Sequence, residues 1–369
     1  MITLSFAEMY PEMATLAEIA EAVGVSTITV SRVLNGRAQY RRPTFARRAE
    51  RIRAVAAEMG YRANTAAQSM RSKRYGSVAL LLSTVHSRSL LPPALLDGIL
   101  AALTPRNLTL TLSPVPDERL ADPEYVPRML RTWSSDGLLI NYNAEIPASL
   151  EERVARSAAP TVWINSRHAA NCVYLDDFGA SRAVAERLLA AGHRRIAYAN
   201  YMAPNNVPHQ HYSGDERYAG YAAAMRAAGL APRRLDCERA LDSGERVAHS
   251  LEWLRAADAP TAVVCYGYRT ADSIVRAVHQ AGRFLPPSVF AFGDELPYAE
   301  PSEWERIQIP MRAMGEAATQ MLLELVETPS SAIPPLVLPM ILPADGAFRP
   351  PSRRSALPSP PTRNCRGNE

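Results

Sequence analysis

The sequence predicts a small all-α helix-turn-helix DNA-binding domain followed by an α/β sensor of two doubly wound lobes. Three observations carry that prediction. The segment TLAEIAEAVGVSTITVSRVLNG, beginning at Thr15, sets two short amphipathic stretches around a glycine turn. From Gly76 onward, short apolar runs alternate with helical periods. Charge is uneven as well: residues 1–74 hold twelve Lys/Arg against six Asp/Glu, whereas residues 75–342 hold 24 against 29. A basic head suits nucleic acid and an acidic middle does not. Lys73 is the one lysine of that head, and arginine suits bidentate phosphate and guanine contacts.

The head reads helix by helix. Thr15 and Glu18 form a capping box, followed by Leu16, Ile19, Ala20 and Val23 on one apolar face. Gly24 supplies the left-handed residue that ends this helix. Ser26 caps the next one. Within it Val30, Val33 and Leu34 point inward, while Thr27, Ile28, Ser31, Arg32 and Asn35 point outward. The second helix of such a pair enters the major groove with its N-terminal residues at base edges. Arg32 suits a bidentate pair with guanine, Ile28 a thymine methyl, and Thr27 a base or phosphate. Ser26 and Asn35 sit where backbone phosphates pass, and Thr15, Thr29 and Ser31 complete the set expected near DNA. Pro43 precedes a third helix, Phe45 to Met59, closed by Gly60, with Ala49, Ile52, Val55, Ala56 and Met59 as its apolar face. Arg47, Arg48, Arg51 and Arg53 decorate it, either as solubilising charge or as phosphate contacts. Asn64 to Arg71 makes barely two helical turns, so it is expected to order only against DNA or a second copy. Asn64, Ala67 and Met70 fall here, and Met70 suits a wedge between base steps or contact with the sensor.

The ordered set ATLAEIAEAVGVS, TVSRVLNG, EMGYRAN and AAQSMRS resembles the LacI family of bacterial transcriptional regulators. The resemblance implies that Thr27, Ile28 and Arg32 occupy base-reading positions. It places Met70 where the family usually has an intercalating leucine. It also implies a periplasmic-binding-protein-like sensor with an effector cleft, spanning roughly residues 76–342. The arginine-rich loop from Arg37 to Arg42 departs from the commoner pattern.

In the sensor, Val78 to Leu82, Leu108 to Leu112, Gly137 to Ile140 and Thr161 to Asn165 read as strands, with Pro93 to Leu103 helical. A strand near Val173–Leu175 crosses to a second lobe containing strands at Ile196–Ala199, Ala262–Tyr266 and Val289–Phe292. A helix near Met314 to Leu325 packs back on the first lobe. Ligands of open α/β sheets sit beyond the carboxyl ends of strands. His86, Arg88, Asn141, Asn143, Asn165, Tyr268 and Asp294 lie there and suit a hydroxyl-rich small molecule such as a sugar, although each also reads as an ordinary loop or cap residue. Arg217 matches the arginine of the family's R-x-A-G motif, which the resemblance implies holds an effector. Asp176 and Asp177 match its paired acids, expected to cap the following helix and tie the lobes. Gly267-Tyr268 stands where the family often has Asn-Asp, and the loop STVHSRSLLPP carries an insertion.

The expected domains are an N-terminal extension (1–12), the DNA-binding domain (13–62), a hinge helix and linker (63–75), the effector-binding and dimerisation domain (76–342) and a disordered tail (343–369). Cys172, Cys237, Cys265 and Cys365 are scattered, which argues for a reducing cytoplasm without zinc or disulfides. His209 and His211 lack a third ligand at standard spacing, so neither a metal nor another cofactor is expected. No apolar run approaches the roughly 18 residues of a membrane span, and no secretory signal is read. The expected protein is a regulator, a repressor for preference and not an enzyme. Its expected partners are a near-palindromic double-stranded operator, a small effector such as a carbohydrate, and a second copy in a homodimer. Two other classes remain in view. A cleft-containing sugar-binding protein would carry a signal peptide and no basic head. An enzyme would need a nucleophile elbow or phosphate loop that the sequence does not display.

Overall fold

A computed structural model describes residues 14–34, 43–61, 74–85, 88–131, 134–201, 211–237, 239, 241–282, 287–294, 302–328 and 332–351. The chain divides into two compact units, with the division after Tyr75.

Among the described residues the first unit holds three helices, α1 (Leu16–Val23), α2 (Thr27–Leu34) and α3 (Pro43–Glu58). The capping box is formed: Glu18 N donates to Thr15 Oγ1 at 3.2 Å, and Thr15 N donates to Glu18 Oε2 at 2.7 Å. Gly24 is left-handed, φ 73°, and its N–H closes α1 on Ala20 O. Ser26 Oγ accepts from Thr29 N at 3.3 Å, so it caps α2. Ile19, Ala20, Val30, Val33, Ala49, Ile52 and Ala56 close a small core. Met59, expected on that core face, lies past the end of α3 and is 37% exposed. Helix α3 starts at Pro43 itself, where the missing N–H has no helical partner to lose.

The second unit runs, in order, β1 (Ser77–Ser83), α4 (Pro93–Leu103), β2 (Thr109–Val115), α5 (Arg128–Arg131), β3 (Gly137–Asn141), α6 (Ala148–Arg156), β4 (Thr161–Ile164) and β5 (Cys172–Leu175). It continues with α7 (Asp177–Ala190), β6 (Ile196–Asn200), α8 (Ser213–Ala227), β7 (Arg233–Asp236), α9 (Ser243–Arg255), β8 (Ala262–Cys265) and α10 (Tyr268–Gln280). The last elements are β9 (Ser288–Asp294), β10 (Glu305–Ile309), α11 (Met311–Glu327) and β11 (Leu336–Leu338). Two sheets form, ordered β11-β5-β4-β3-β1-β2 and β10-β9-β8-β6-β7. The neighbouring strands are parallel throughout. Parallel sheets need helices on both faces, which explains runs such as Val78–Leu81 buried on either side.

The first lobe packs α4 and α11 together so closely that glycine is required at the contact. A Cβ added at Gly98 would stand 2.1 Å from Arg312 O, and one at Gly315 would stand 2.3 Å from Leu95 O. The helix expected to return to the first lobe is therefore α11, and it does so by near backbone contact.

Within the described residues the chain crosses between lobes three times. The first crossing follows β5 and enters α7. The second follows β10 and enters α11 through Pro310. The third follows β11, where Gln308 and Ile341 exchange N–H···O bonds of 2.8 and 3.0 Å. Beyond it the expected disordered tail does not begin at residue 343. Phe348 stacks on Phe290 of β9 at 4.8 Å between centroids, and the carbonyl of Arg349 bonds His193 Nε2 at 2.8 Å. Arg187 adds a hydrogen bond to Pro343 O at 3.2 Å and an ion pair to Asp345 at 3.3 Å, contacts across some 156 residues of sequence that composition does not reveal. Residues 1–12 and 352–369 lie outside the described residues.

Candidate DNA interface and effector cleft

Helix α2 presents two faces. Val30 and Val33 are buried in the head's core, whereas Thr27 and Arg32 are exposed and Ile28 is 64% exposed. Burying one stripe of an eight-residue helix against α1 and α3 fixes the direction of the other. Thr15 and Ser26 are exposed; Thr29 and Ser31 are half-buried. Asn35, Asn64, Ala67 and Met70 lie outside the described residues.

In the sensor, the expected cleft residues fall into two groups. The first surrounds Arg88, at the carboxyl ends of β1, β2 and β3. Its Nη1 meets Asp117 Oδ2 at 2.5 Å and its Nε donates to Glu145 Oε2 at 2.9 Å. Asp117 also accepts from Ser83 Oγ at 2.6 Å and from Tyr142 OH at 2.7 Å. Burial disfavours the Asp117 carboxylate, but the donors from Ser83, Tyr142 and Arg88 prevail and hold its pKa below the ordinary value. Asn143 donates to Asn141 Oδ1 at 3.0 Å, and Asn141 Nδ2 donates to Leu90 O at 2.7 Å. Asn141 is 1% exposed. Both ends of its amide are occupied by the loop, so it builds the rim and does not face the cleft as expected. His86 lies outside the described residues.

The second group joins the lobes. Asn165, after β4, has a left-handed backbone at φ 55°. Its carbonyl lies 2.8 Å from His211 Nε2, and its Oδ1 accepts from Tyr212 OH at 3.2 Å. His211 Nδ1 lies 2.7 Å from Ser213 Oγ, which lies 3.1 Å from Tyr266 OH. A carbonyl only accepts, so Nε2 carries the proton; Ser213 N donates to Nδ1 at 3.3 Å, so Nδ1 is an acceptor. That assigns the neutral imidazole. Arg167 adds an ion pair to Glu216 at 2.8 Å. His211 and Ser213 were legible only as polar residues in NNVPHQHYSGDERY, and nothing in their spacing marked them as a link between lobes.

Arg217 is 6% exposed. Its Nε donates to Asp177 Oδ1 at 2.6 Å and its Nη1 to Tyr266 O at 2.7 Å. Its guanidinium lies 4.1 Å from the Phe292 ring centroid. Asp177 therefore secures α7 to α8 inside the second lobe and does not tie the lobes to each other, while Asp176 caps α7 on Gly179 N at 2.8 Å as expected. Asp294 ends β9, half-buried. Burial raises its pKa against the pull of Arg217 and Arg306. Tyr268 opens α10, 49% exposed, beside the guanidinium of Arg269. Among the described residues no group of three metal-ligating side chains occurs and no helix is long and apolar enough to cross a membrane.

Burial lowers the pKa of His168, His193 and His211. The unfolded chain then takes up protons first as the pH falls. The stability these imidazoles contribute is complete above their ordinary value of 6.5. It is lost as the pH drops from there through their lowered folded values. The sensor's thermal midpoint is expected to fall by about a few degrees between about pH 7 and pH 5.5. His211→Gln, which cannot take up that proton, should flatten the fall. An equal slope in the variant would remove His211 from the account.

Comparison with known proteins gives the same two-part division. Residues 15–64 match the profile of bacterial regulatory proteins of the lacI family, and residues 185–343 match a periplasmic binding protein-like domain. The chain is 34% identical over 187 residues to the HTH-type transcriptional regulator GntR of Pseudomonas aeruginosa, which covers 50% of this chain and 52% of that protein. It is 27% identical over 336 residues to the regulator CelR of Thermobifida fusca, covering 85% and 92%. Among solved structures, a Lac repressor dimer bound to operator and the anti-inducer ONPF superposes with a TM-score of 0.68 at 21% identity, over 90% of this chain and 98% of that one. The capped helix pair, the two-lobed sensor and these matches agree: the head, over residues 15–64, is similar to bacterial regulatory proteins of the lacI family, and the sensor, over residues 185–343, to a periplasmic binding protein-like domain.

Proposed function

We propose that this protein is a sequence-specific transcriptional regulator, acting as a repressor, whose grip on DNA is set by a small hydroxyl-rich effector between the sensor lobes. The observation that carries the reading is the outward face of α2, with Thr27, Ile28 and Arg32 exposed on a helix whose opposite side is locked in the core. Two copies place two such helices in successive major grooves of a near-palindromic site. Asn35, Asn64, Ala67 and Met70 extend that contact. In the cleft, Asn165, Arg217, Asp294 and Tyr268, with Asn143 on the first-lobe rim, offer donors and acceptors suited to a sugar or related metabolite. His211, Ser213 and Tyr266 join this set because they lie on the same inter-lobe network. The protein works in the cytoplasm, by binding and not by turnover. Free, buried Cys172, Cys237 and Cys265 accord with a reducing compartment.

Recovery of genomic fragments bound by the purified chain at stated salt tests the reading. An inverted repeat is the expected product; binding blind to sequence would sink it. Arg32→Ala is then expected to lose about 1–3 kcal/mol of discrimination, roughly 5- to 150-fold, between that repeat and random duplex. An unchanged ratio, measured by fluorescence anisotropy, would remove Arg32 from base reading.

A further inference from the structure

The head carries a second basic feature beside the reading face. An open notch of about 540 Å³ lies between the α1–α2 turn and α3. Gly24, Ser26 and Thr29 line one side, and Arg47, Arg48 and Arg51 line the other. No carboxylate lines it. All three guanidinium groups are exposed, and none makes an ion pair with a described residue. This contrasts with the sensor, where Arg88, Arg167 and Arg217 each hold a carboxylate.

Such an arrangement works against the isolated head. Arg47 and Arg51 are four residues apart on one helix, so their like charges face each other and destabilise α3 by about 0.2–0.5 kcal/mol. The beginning of α2 adds its own partial positive charge at the same notch. Three cations and a positive helix end around one concavity leave a strong local demand for an anion. The concavity lies directly against Ser26 and Thr29, on the element that carries the base-reading side chains. An anion held there is therefore one that arrives with DNA.

We propose that Arg47, Arg48 and Arg51 form a clamp for one backbone phosphodiester of DNA, separate from the base-reading face of α2. The proposal rests on the DNA-binding reading above. The clamp supplies affinity that is blind to sequence and orients α2 over the groove; phosphate contacts position while base contacts specify. Each clamped phosphate releases condensed counterions, so it adds about 0.9 to the salt slope of binding. A dimer with two heads has two clamps, which contribute about 1.8 together.

The test uses the full chain, the duplex recovered by fragment selection, and a random duplex of equal length, titrated between about 50 and 200 mM salt. Removing two cations by Arg47→Gln with Arg51→Gln is expected to reduce the slope by about 1.8 on both duplexes. The native chain should then lose about 12-fold more affinity than the variant across that salt range. The ratio of specific to random binding should stay the same. The paired Arg47→Lys, Arg51→Lys variant keeps both charges and should keep the slope. Arg53→Gln removes a charge from the same helix outside the notch and should also leave the slope alone. A native slope that survives in the Gln variant overturns the clamp while leaving the regulator reading intact. Equal slope loss in Arg53→Gln overturns it in favour of diffuse charge. Saturable uptake of inorganic phosphate at the notch, with DNA slopes unchanged, makes it a free-anion site and overturns it as well. A native chain with no salt-dependent duplex binding ends the regulator reading, and the clamp with it.

Discussion

Replacing Arg217 with Ala is expected to lower the unfolding free energy of the sensor by about 3–5 kcal/mol. The cause is the partner left behind. Asp177 is fully buried, and its Oδ1 is held by Arg217 Nε at 2.6 Å. Its Oδ2 has no hydrogen-bond partner among the described residues. Removing the guanidinium leaves an uncompensated charge in the interface between α7 and α8, and such a charge costs more than the pair contributes. Domains are stable by only about 5–15 kcal/mol, so the loss is a large share of the whole. Urea titration of the native chain and the variant measures it. A loss below about 1 kcal/mol would mean that water or a rearranged neighbour reaches Asp177 in place of the guanidinium. An effector assay on Arg217→Ala consequently reads stability as well as ligand contact. Tyr268, exposed and without a buried partner, is the cleaner position for separating the two.

A comparable effect is expected from a single methyl group. Gly98→Ala brings a Cβ to 2.1 Å from Arg312 O, which is backbone and cannot swing aside. Helices α4 and α11 must then separate, opening the seam that α11 closes on β3 and β4. The expected cost is about 3 kcal/mol, at the upper end for overpacking. Gly346→Ala is the control, because nothing stands within 4 Å of its Cβ position. Thermal unfolding of both variants decides the matter, and equal midpoints would show that α4 yields without strain.

Much of the architecture was legible because its signals were local. Thr15, Glu18, Gly24 and Ser26 each perform the cap or turn that their chemistry favours. Strands β1, β3, β6, β8 and β9 announced themselves as apolar runs because a central parallel strand is covered on both faces. The strands that escaped notice are β7, β10 and β11, and all three are sheet edges. An edge needs little apolar coverage, so RRLD and ERIQI carry charges that read as loop. The cleft was legible as a set of loops but not as a set of roles. Asn141 and Arg88 look like ligand residues in sequence, yet Leu90 O, Asp117 and Glu145 occupy them. Their partners are up to 57 residues distant in the chain, and spacing alone cannot report such closure. His211 shows the converse: its place in the link depends on a backbone carbonyl 46 residues away.

The three crossings between lobes have a mechanical consequence. A single tether would let one lobe swivel and slide against the other in many directions. Three tethers, after β5, after β10 and after β11, remove most of those freedoms and leave bending about the line they share as the low-cost motion. Any molecule that closes the cleft then drives the lobes along one coordinate, whatever corner of the pocket it touches. Chemically different effectors would produce the same movement, differing in how far they push it.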